Sequence, residues 1–278
     1  MRFFLRALLT IFFISPLIQA QEHSIMTFNI RYATENDGIN QWENRKDWVS
    51  TLIQFYEPDV FGVQEGLQSQ VVFLDDELVK YDYVGVGRDD GETSGEYAAI
   101  FFKSGKLEVL DSGTFWLSET PDEPSFGWGA NFRRIATWAK FKVKETGMEY
   151  LVFNAHLDHE VAEARLNSVK LIREKADDWG DENLPVFVIG DLNARPDSPP
   201  IEYLSSVYKD AKDISEYPAY GPEGTFNGFD TSHPLDARID YIFVNEKVRV
   251  YKYAVLADTQ NERTPSDHLP VFIQYSLK

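Results

Sequence analysis

The residues best suited to chemistry in this 278-residue chain stand at the ends of apolar runs. Asp191 and Asn193 follow directly on Val186–Gly190, whose valines, phenylalanine and isoleucine read as a buried strand. An extended exit points both side chains to one side, and strand exits are where α/β sheets carry their reactive groups. The same pair could form an Asx turn that caps a helix, so this motif alone leaves both readings open. Glu65 leaves the run Val60–Val63 through Gln64, and a helix N-terminal acid is its competing reading. Asn154, His156 and Asp158 alternate at the end of the run from Tyr150 and so share a face. Asp240 interrupts the apolar stretch Arg238–Val244, where an unpaired carboxylate would be costly and needs a partner. Asn29 closes Ser24–Ile30 with Arg31 behind it, and Asp267-His268 introduces the last apolar run.

Asn29, Glu65, Asn154, His156, Asp191, Asn193, Asp240, Asp267 and His268 are nine polar groups at the edges of six apolar strands, too many to be caps. They are oxygen-rich, with few imidazoles and no thiolate, which suits Mg²⁺, Mn²⁺ or Ca²⁺ rather than a structural zinc. Hydrolysis of a phosphate ester requires such a set: a water aimed in line, and donors or a cation to neutralise phosphate oxygens. Asn154–His159 approaches the two-zinc signature His-x-His-x-Asp-His but has Asn154 in place of the first histidine, so His159 reads as a surface residue at a helix start.

Strands and helices alternate so as to bring these exits together. Helical patterns cover Trp42–Phe55, Leu67–Val79, Glu160–Trp179 and Ser198–Ser206, the last opened by Pro199-Pro200. Further strands are read at Tyr81–Val86, Tyr97–Phe102, Lys106–Leu117, Ile135–Val143 and Met148–Leu157. Ser118–Arg134, rich in proline, glycine and aromatics, reads as a surface loop near a site; Trp116 and Trp128 beside and within it could stack on a substrate or simply pack. Arg31, Arg133, Arg134 and Arg238 are candidate phosphate contacts, with an exposed surface or a nearby acid as the alternative.

Arginines at 2 and 6, an apolar stretch from Ala7 to Ile18 and Ala20 read as a signal peptide over 1–20, cleaved near Ala20, with a domain over 21–278 exported to the periplasm or beyond the cell. The apolar stretch is too short to span a bilayer comfortably. No cysteine is present, so disulfides are excluded and the folded chain depends on its core. The formal net charge of −18 argues against tight nonspecific binding of duplex DNA, though not against a small phosphorylated substrate.

The segments TFNIR, GVQE, GEYAAIFF, NAHLDH, GDLNARP, RIDYIFV and SDHLPV, in that order from Thr27 to Val271, resemble the endonuclease/exonuclease/phosphatase (DNase I-like) superfamily, in particular its exported bacterial members and the deadenylase-like branch. The resemblance implies an α/β four-layered α/β/β/α sandwich, two mixed and mostly antiparallel sheets flanked by helices. It implies a divalent-metal-dependent phosphoester hydrolase, a phosphodiesterase, nuclease or phosphatase, using Mg²⁺ or Mn²⁺. Its metal side would be Asn29, Glu65 and Asp267, with Glu65 the main ligand. Asp191 and Asn193 would contact the attacking water and the phosphate, Asp240 would orient His268, and His156 would contact the phosphate. Arg31, Asn154 and Arg134 are further candidates for substrate binding. Arg31 stands where some family nucleases carry an acid, which removes one nearby metal ligand. The expected partner is a phosphorylated small molecule or a nucleic-acid or lipid phosphodiester, bound by a monomer. The alternative is a degenerate member that only binds a phosphate ligand; such a chain should have lost Glu65, Asp191, Asp240 or His268, and none is lost.

Overall fold

The computed structural model describes residues 22–180, 183–232 and 234–278, so the expected leader over 1–20 lies outside the described residues. The strands are β1 (His23–Asn29), β2 (Val60–Gln64), β3 (Tyr81–Val84), β4 (Ile100–Lys103), β5 (Leu107–Trp116) and β6 (Ile135–Val143) in the first half. They continue with β7 (Glu149–His156), β8 (Val186–Asp191), β9 (Lys209–Asp210), β10 (Asp240–Val244), β11 (Val248–Val255) and β12 (Val271–Leu277). The helices are α1 (Lys46–Tyr56), α2 (Gln68–Glu77), α3 (Ala162–Trp179) and α4 (Pro199–Val207). They build two six-stranded sheets, ordered β11-β12-β1-β2-β4-β3 and β5-β6-β7-β8-β10-β9. Among the described strands, β1–β2 and β7–β8 pair in parallel and the other ladders are antiparallel.

Period-two alternation explains the four layers. On β8, Phe187 and Ile189 face the other sheet, while Val186 and Val188 face α3 and α4. On β1, Ile25 joins the core between the sheets, while Met26 and Phe28 pack with Val49, Leu52, Ile53, Val71 and Leu74 of α1 and α2. The apolar runs thus lie buried on both faces, as continuous hydrophobic strands must. Gly190 has a left-handed φ of 139°, and a Cβ there would stand 1.9 Å from the carbonyl oxygen of Ala155. The glycine before Asp191 therefore lets β8 lie against β7 up to its last residue.

Two features differ from expectation. The helix expected over Trp42–Phe55 is a short 3₁₀ turn at Trp42–Asn44, a break at Arg45, and then α1. Phe55 is 79% exposed and Ile53 takes the buried position, because a 3.6-residue period places Leu52 and Ile53, not Phe55, on the face of Val49. β11 was not anticipated: a bulge between Val250 and Lys252 shifts its alternation, so Val248, Val250, Tyr253 and Val255 do not follow a period of two.

Candidate active site

His156, Asp191 and Asp240 are register partners across β7, β8 and β10 and so point to the same face of one sheet. The opposite sheet delivers Asn29 at the end of β1 and Glu65 one residue beyond β2. The fully buried Asn29 amide joins the two sides, donating to Glu65 Oε1 at 3.0 Å and to Asp191 Oδ2 at 2.9 Å. His268 is held by Nδ1 against Asp240 Oδ2 at 2.9 Å, with its Nε2 3.7 Å from Asp191 Oδ2. Asp240 thereby has the partner its burial demands, and Thr225 Oγ1 donates to the same carboxylate at 2.6 Å.

Backbone geometry aims these groups. Arg31, Glu65 and Asn193 all have left-handed φ values, of 56°, 63° and 45°. Such conformations cost free energy in non-glycine residues and persist where the surroundings enforce them. Each lies just past a strand exit and turns the chain toward the same pocket. The loops are clamped from behind. Arg45, 1% exposed, donates to the carbonyls of Ile30, Arg31, Asn40 and Pro265, and Ser266 Oγ donates to the Asn29 carbonyl at 2.7 Å. One buried guanidinium thus ties the β1 exit to the loop carrying Asp267 and His268, and burial lowers its pKa to about 10.

The electrostatics divide the site. Burial, then the charge of Asp240, pushes Asp191 up to about 7, against the pull of His268. Burial opposes the charge on His268, but Asp240 and Asp191 outweigh it and hold the imidazolium well above the ordinary histidine range. Burial and the neighbouring Arg134 and Arg88 push His156 well below that range, so its ring is neutral. Asp267 is raised by burial and by Glu65.

A cavity of about 470 Å³ collects these groups: Arg31, Glu65, Arg134, His156, Asp191, Asn193, Asp267 and His268 all line it. Asn154 does not. It shares the face of His156, as alternation requires, but sits two residues deeper between the sheets and is fully buried. Its Nδ2 donates to the carbonyls of Val63 and Ala99 and its Oδ1 accepts from Gln64, so the expected substrate contact is instead a pin between the sheets. A Cβ on Gly62 would lie 2.6 Å from the Asn154 side chain, so that glycine makes room for the pin. Asp158 accepts from the backbone N–H groups of Glu160 and Val161 in the turn ahead of α3. Arg238 pairs with Asp210 in the interior, Arg133 lies near Asp89 at 3.6 Å, and Trp116 is buried with its indole N–H on the Arg88 carbonyl. Trp128 packs against the core beneath α3. Sequence reasoning missed Tyr32, Arg88, Glu96, Phe132 and Phe226 on the pocket wall; His159 is exposed, as read, and lies at the rim. Glu96 stood inside GEYAAIFF and Phe132 inside the loop Ser118–Arg134, segments already singled out, though neither residue was.

Glu65, His156 and Asp191 present potential ligand atoms within 4.8 Å of one another. His156 Nε2 already accepts from Arg134 at 3.1 Å, so the oxygen donors are the ones suited to an ion. Glu65, Asp191 and Asp267 line one cavity, and two of them have raised pKa values. That cluster of carboxylates and its hard donor set fit a divalent cation. Arg31 lies 3.8 Å from Glu65 and 3.9 Å from Asp267, and it offsets part of the charge while held by Asp37.

Residues 26–268 match the model of the Endonuclease/Exonuclease/phosphatase family. The chain is similar to an endonuclease/exonuclease/phosphatase of Bacteroides vulgatus, with 41% identity and a TM-score of 0.89 over 93% of this chain and 100% of that one. It is similar to a mannosyl-6-phosphatase of Bacteroides thetaiotaomicron, with 38% identity and a TM-score of 0.87 over 92% of this chain and 100% of that one. An uncharacterized protein of Acanthamoeba polyphaga mimivirus is 27% identical over 87% of this chain and 95% of its own length. The two-sheet sandwich, the site at its parallel strand exits and these similarities agree that the chain belongs to the endonuclease/exonuclease/phosphatase family.

Proposed function

We propose that this protein is a divalent-cation-dependent phosphoester hydrolase that acts on a compact phosphate ester, with sugar phosphomonoesters the first class to test. The observation that carries the reading is the unbroken chain Glu65–Asn29–Asp191 beside the His268–Asp240 pair, all at one cavity. A module that merely binds phosphate has no need of an oriented histidine beside a proton-accepting carboxylate.

In this reading water attacks phosphorus in line as the bond to the leaving oxygen breaks. Asp191 orients the water and takes its proton; a value near 7 suits a general base at neutral pH. His268, kept protonated and oriented by Asp240, stabilises the charge building on the phosphate oxygens. Asn193 spends one amide hydrogen on the Leu157 carbonyl at 3.0 Å, and its second is available to a phosphate oxygen. Arg134 supplies the cationic wall. Mg²⁺ or Mn²⁺ bound by Glu65, with Asp267 beside it, would supply Lewis-acid polarisation of the phosphate.

The compact cavity and the acidic chain favour a small ester over a long duplex, and the similarity to a mannosyl-6-phosphatase supports the sugar phosphomonoester class. The test is phosphate release from hexose 6-phosphates alongside hydrolysis of bis-p-nitrophenyl phosphate, with Mg²⁺ or Mn²⁺ and the folded protein. Turnover of the diester alone would refute the monoester assignment, and turnover of neither would refute the hydrolase reading.

A further inference from the structure

Phe132 stands in the wall of the cavity, 40% exposed, among arginines and histidines. A single exposed aromatic residue is ordinary, but this one is held out by its neighbours in the chain. Asn131 Nδ2 donates to Glu160 Oε2 at 2.7 Å, in the turn ahead of α3. Arg133 Nη1 lies 3.6 Å from Asp89 Oδ1, in the loop between β3 and β4, and its guanidinium sits 4.5 Å from the Phe126 ring. Arg134 is fixed by the rings of His156 and His159, at 3.1 and 2.7 Å. The loop is thus fastened to the rim on both sides of Phe132, which enforces the position of the ring at the cavity mouth.

The surroundings of the ring indicate what it faces. Its centroid lies 5.8 Å from the Arg134 guanidinium carbon and 5.2 Å from the centre of the His159 ring. With a phosphate at Arg134, the group joined directly to the ester oxygen is the one that comes over Phe132. Arg88 stands 6.0 Å from the same ring, and the Trp116 indole fixes its carbonyl at 2.7 Å. Its Nη1 donates to Glu96 at 2.6 Å, and Nη2 remains as a donor in the cavity that Arg88 lines. An apolar face beside N–H donors fits a ring with C–H groups on one face and hydroxyls at its edge. A second anionic group fits poorly, because Arg88 is already paired and Asp89 and Glu160 flank the loop.

We propose that Phe132 is a specificity-determining residue: its ring takes the C–H face of the sugar joined to the phosphate, and Arg88 donates to that sugar's hydroxyls. The inference rests on the sugar phosphomonoester reading of the cavity. It assigns selection of the ester to the loop ahead of β6, apart from the groups that act on phosphorus.

The test is calorimetry with Mg²⁺ on an Asp191→Asn background, which keeps a bound ester intact, with mannose 6-phosphate and inorganic phosphate as ligands. Mannose 6-phosphate should bind more tightly than inorganic phosphate. Phe132→Ala should weaken mannose 6-phosphate about three- to tenfold, the apolar contact of one ring face, and leave inorganic phosphate unchanged. Phe132→Tyr should retain the affinity for the sugar phosphate. Arg88→Lys, which keeps a charge beside Glu96, should weaken mannose 6-phosphate and spare inorganic phosphate. If the alanine variant does not fold, Phe132→Leu, which keeps bulk without the aromatic face, takes its place. Equal weakening of both ligands overturns the proposal, as does unchanged binding of mannose 6-phosphate in the folded Ala or Leu variant, or a parent that binds it no more tightly than inorganic phosphate. Binding is read without turnover, so the sugar contact can fail while phosphate release stands, and absence of hydrolysis leaves the affinities to be compared.

Discussion

Asp191 accepts the Asn29 amide on one oxygen and the Asn193 backbone N–H on the other, and it lies within 4 Å of both site histidines. Removing its charge or the His268 ring should each lower turnover by about 10²–10⁴-fold, typical of acid–base groups, while circular dichroism stays unchanged; activity surviving both Asp191→Asn and His268→Asn would displace the centre from this pocket. The rate should rise with pH along an acid limb at or below about 7, since Asp191 must be ionised to accept a proton. It should hold above the ordinary histidine range, since His268 keeps its charge there, and fall only at alkaline pH. The same raised value has a stability consequence. A group whose pKa is higher folded than unfolded contributes stability at low pH that is lost as pH rises through the folded value. Without divalent cation, Asp191→Asn should therefore be more stable than the parent by about 1–3 kcal/mol at pH 8, with the gain vanishing toward pH 4 in thermal melts.

At the scale of elements, the site depends on pins and clamps behind it. Asn154 holds β7 to the β2 side of the facing sheet through two backbone carbonyls and Gln64. Asn154→Leu leaves those groups unpaired in the core and should cost about 2–4 kcal/mol, read by urea unfolding; a neutral result would mean the two sheets do not rely on this pin. Arg45 clamps the β1 exit to the loop ahead of β12. Arg45→Met keeps much of the buried stem but loses the clamp, so turnover should fall more than stability. Neither role is legible in the chain. Asn154 keeps the alternation of a site residue, and only the depth of the facing sheet shows that it stops short of the cavity. Arg45 sits in what reads as a helix start, where arginine is ordinarily a surface residue, and its four carbonyl partners come from segments as distant as Pro265.

At the scale of the whole molecule, two sheets each end a parallel pair at the same edge, and the acidic chain surrounds a cavity that contains arginines and histidines. With a formal charge of −18, affinity for a long duplex should be undetectable at physiological salt, while hydrolysis of a small ester should change little between low and moderate ionic strength. A steep loss of activity with salt would point to a polyanionic substrate instead. If the leader over 1–20 is removed on export, N-terminal sequencing of the exported protein should begin near Gln21.

The candidate site was legible because strand exits advertise themselves: an apolar run that stops at Asn29, Glu65, His156 or Asp191 spends a polar side chain where burial would penalise it, and Asp240 violates its strand outright. Local sequence determined those residue types, the strands that carry them and the oxygen-rich donor set. Which of them meet was decided only by the sandwich. Register sets His156, Asp191 and Asp240 in one row, Asn29 bridges the sheets, Asn154 falls short, and Arg88, Glu96, Phe132 and Phe226 arrive from loops with no periodic signal. The physical reason is that burial and pairing between segments far apart in the chain belong to the packed layers, and no window of sequence contains both partners.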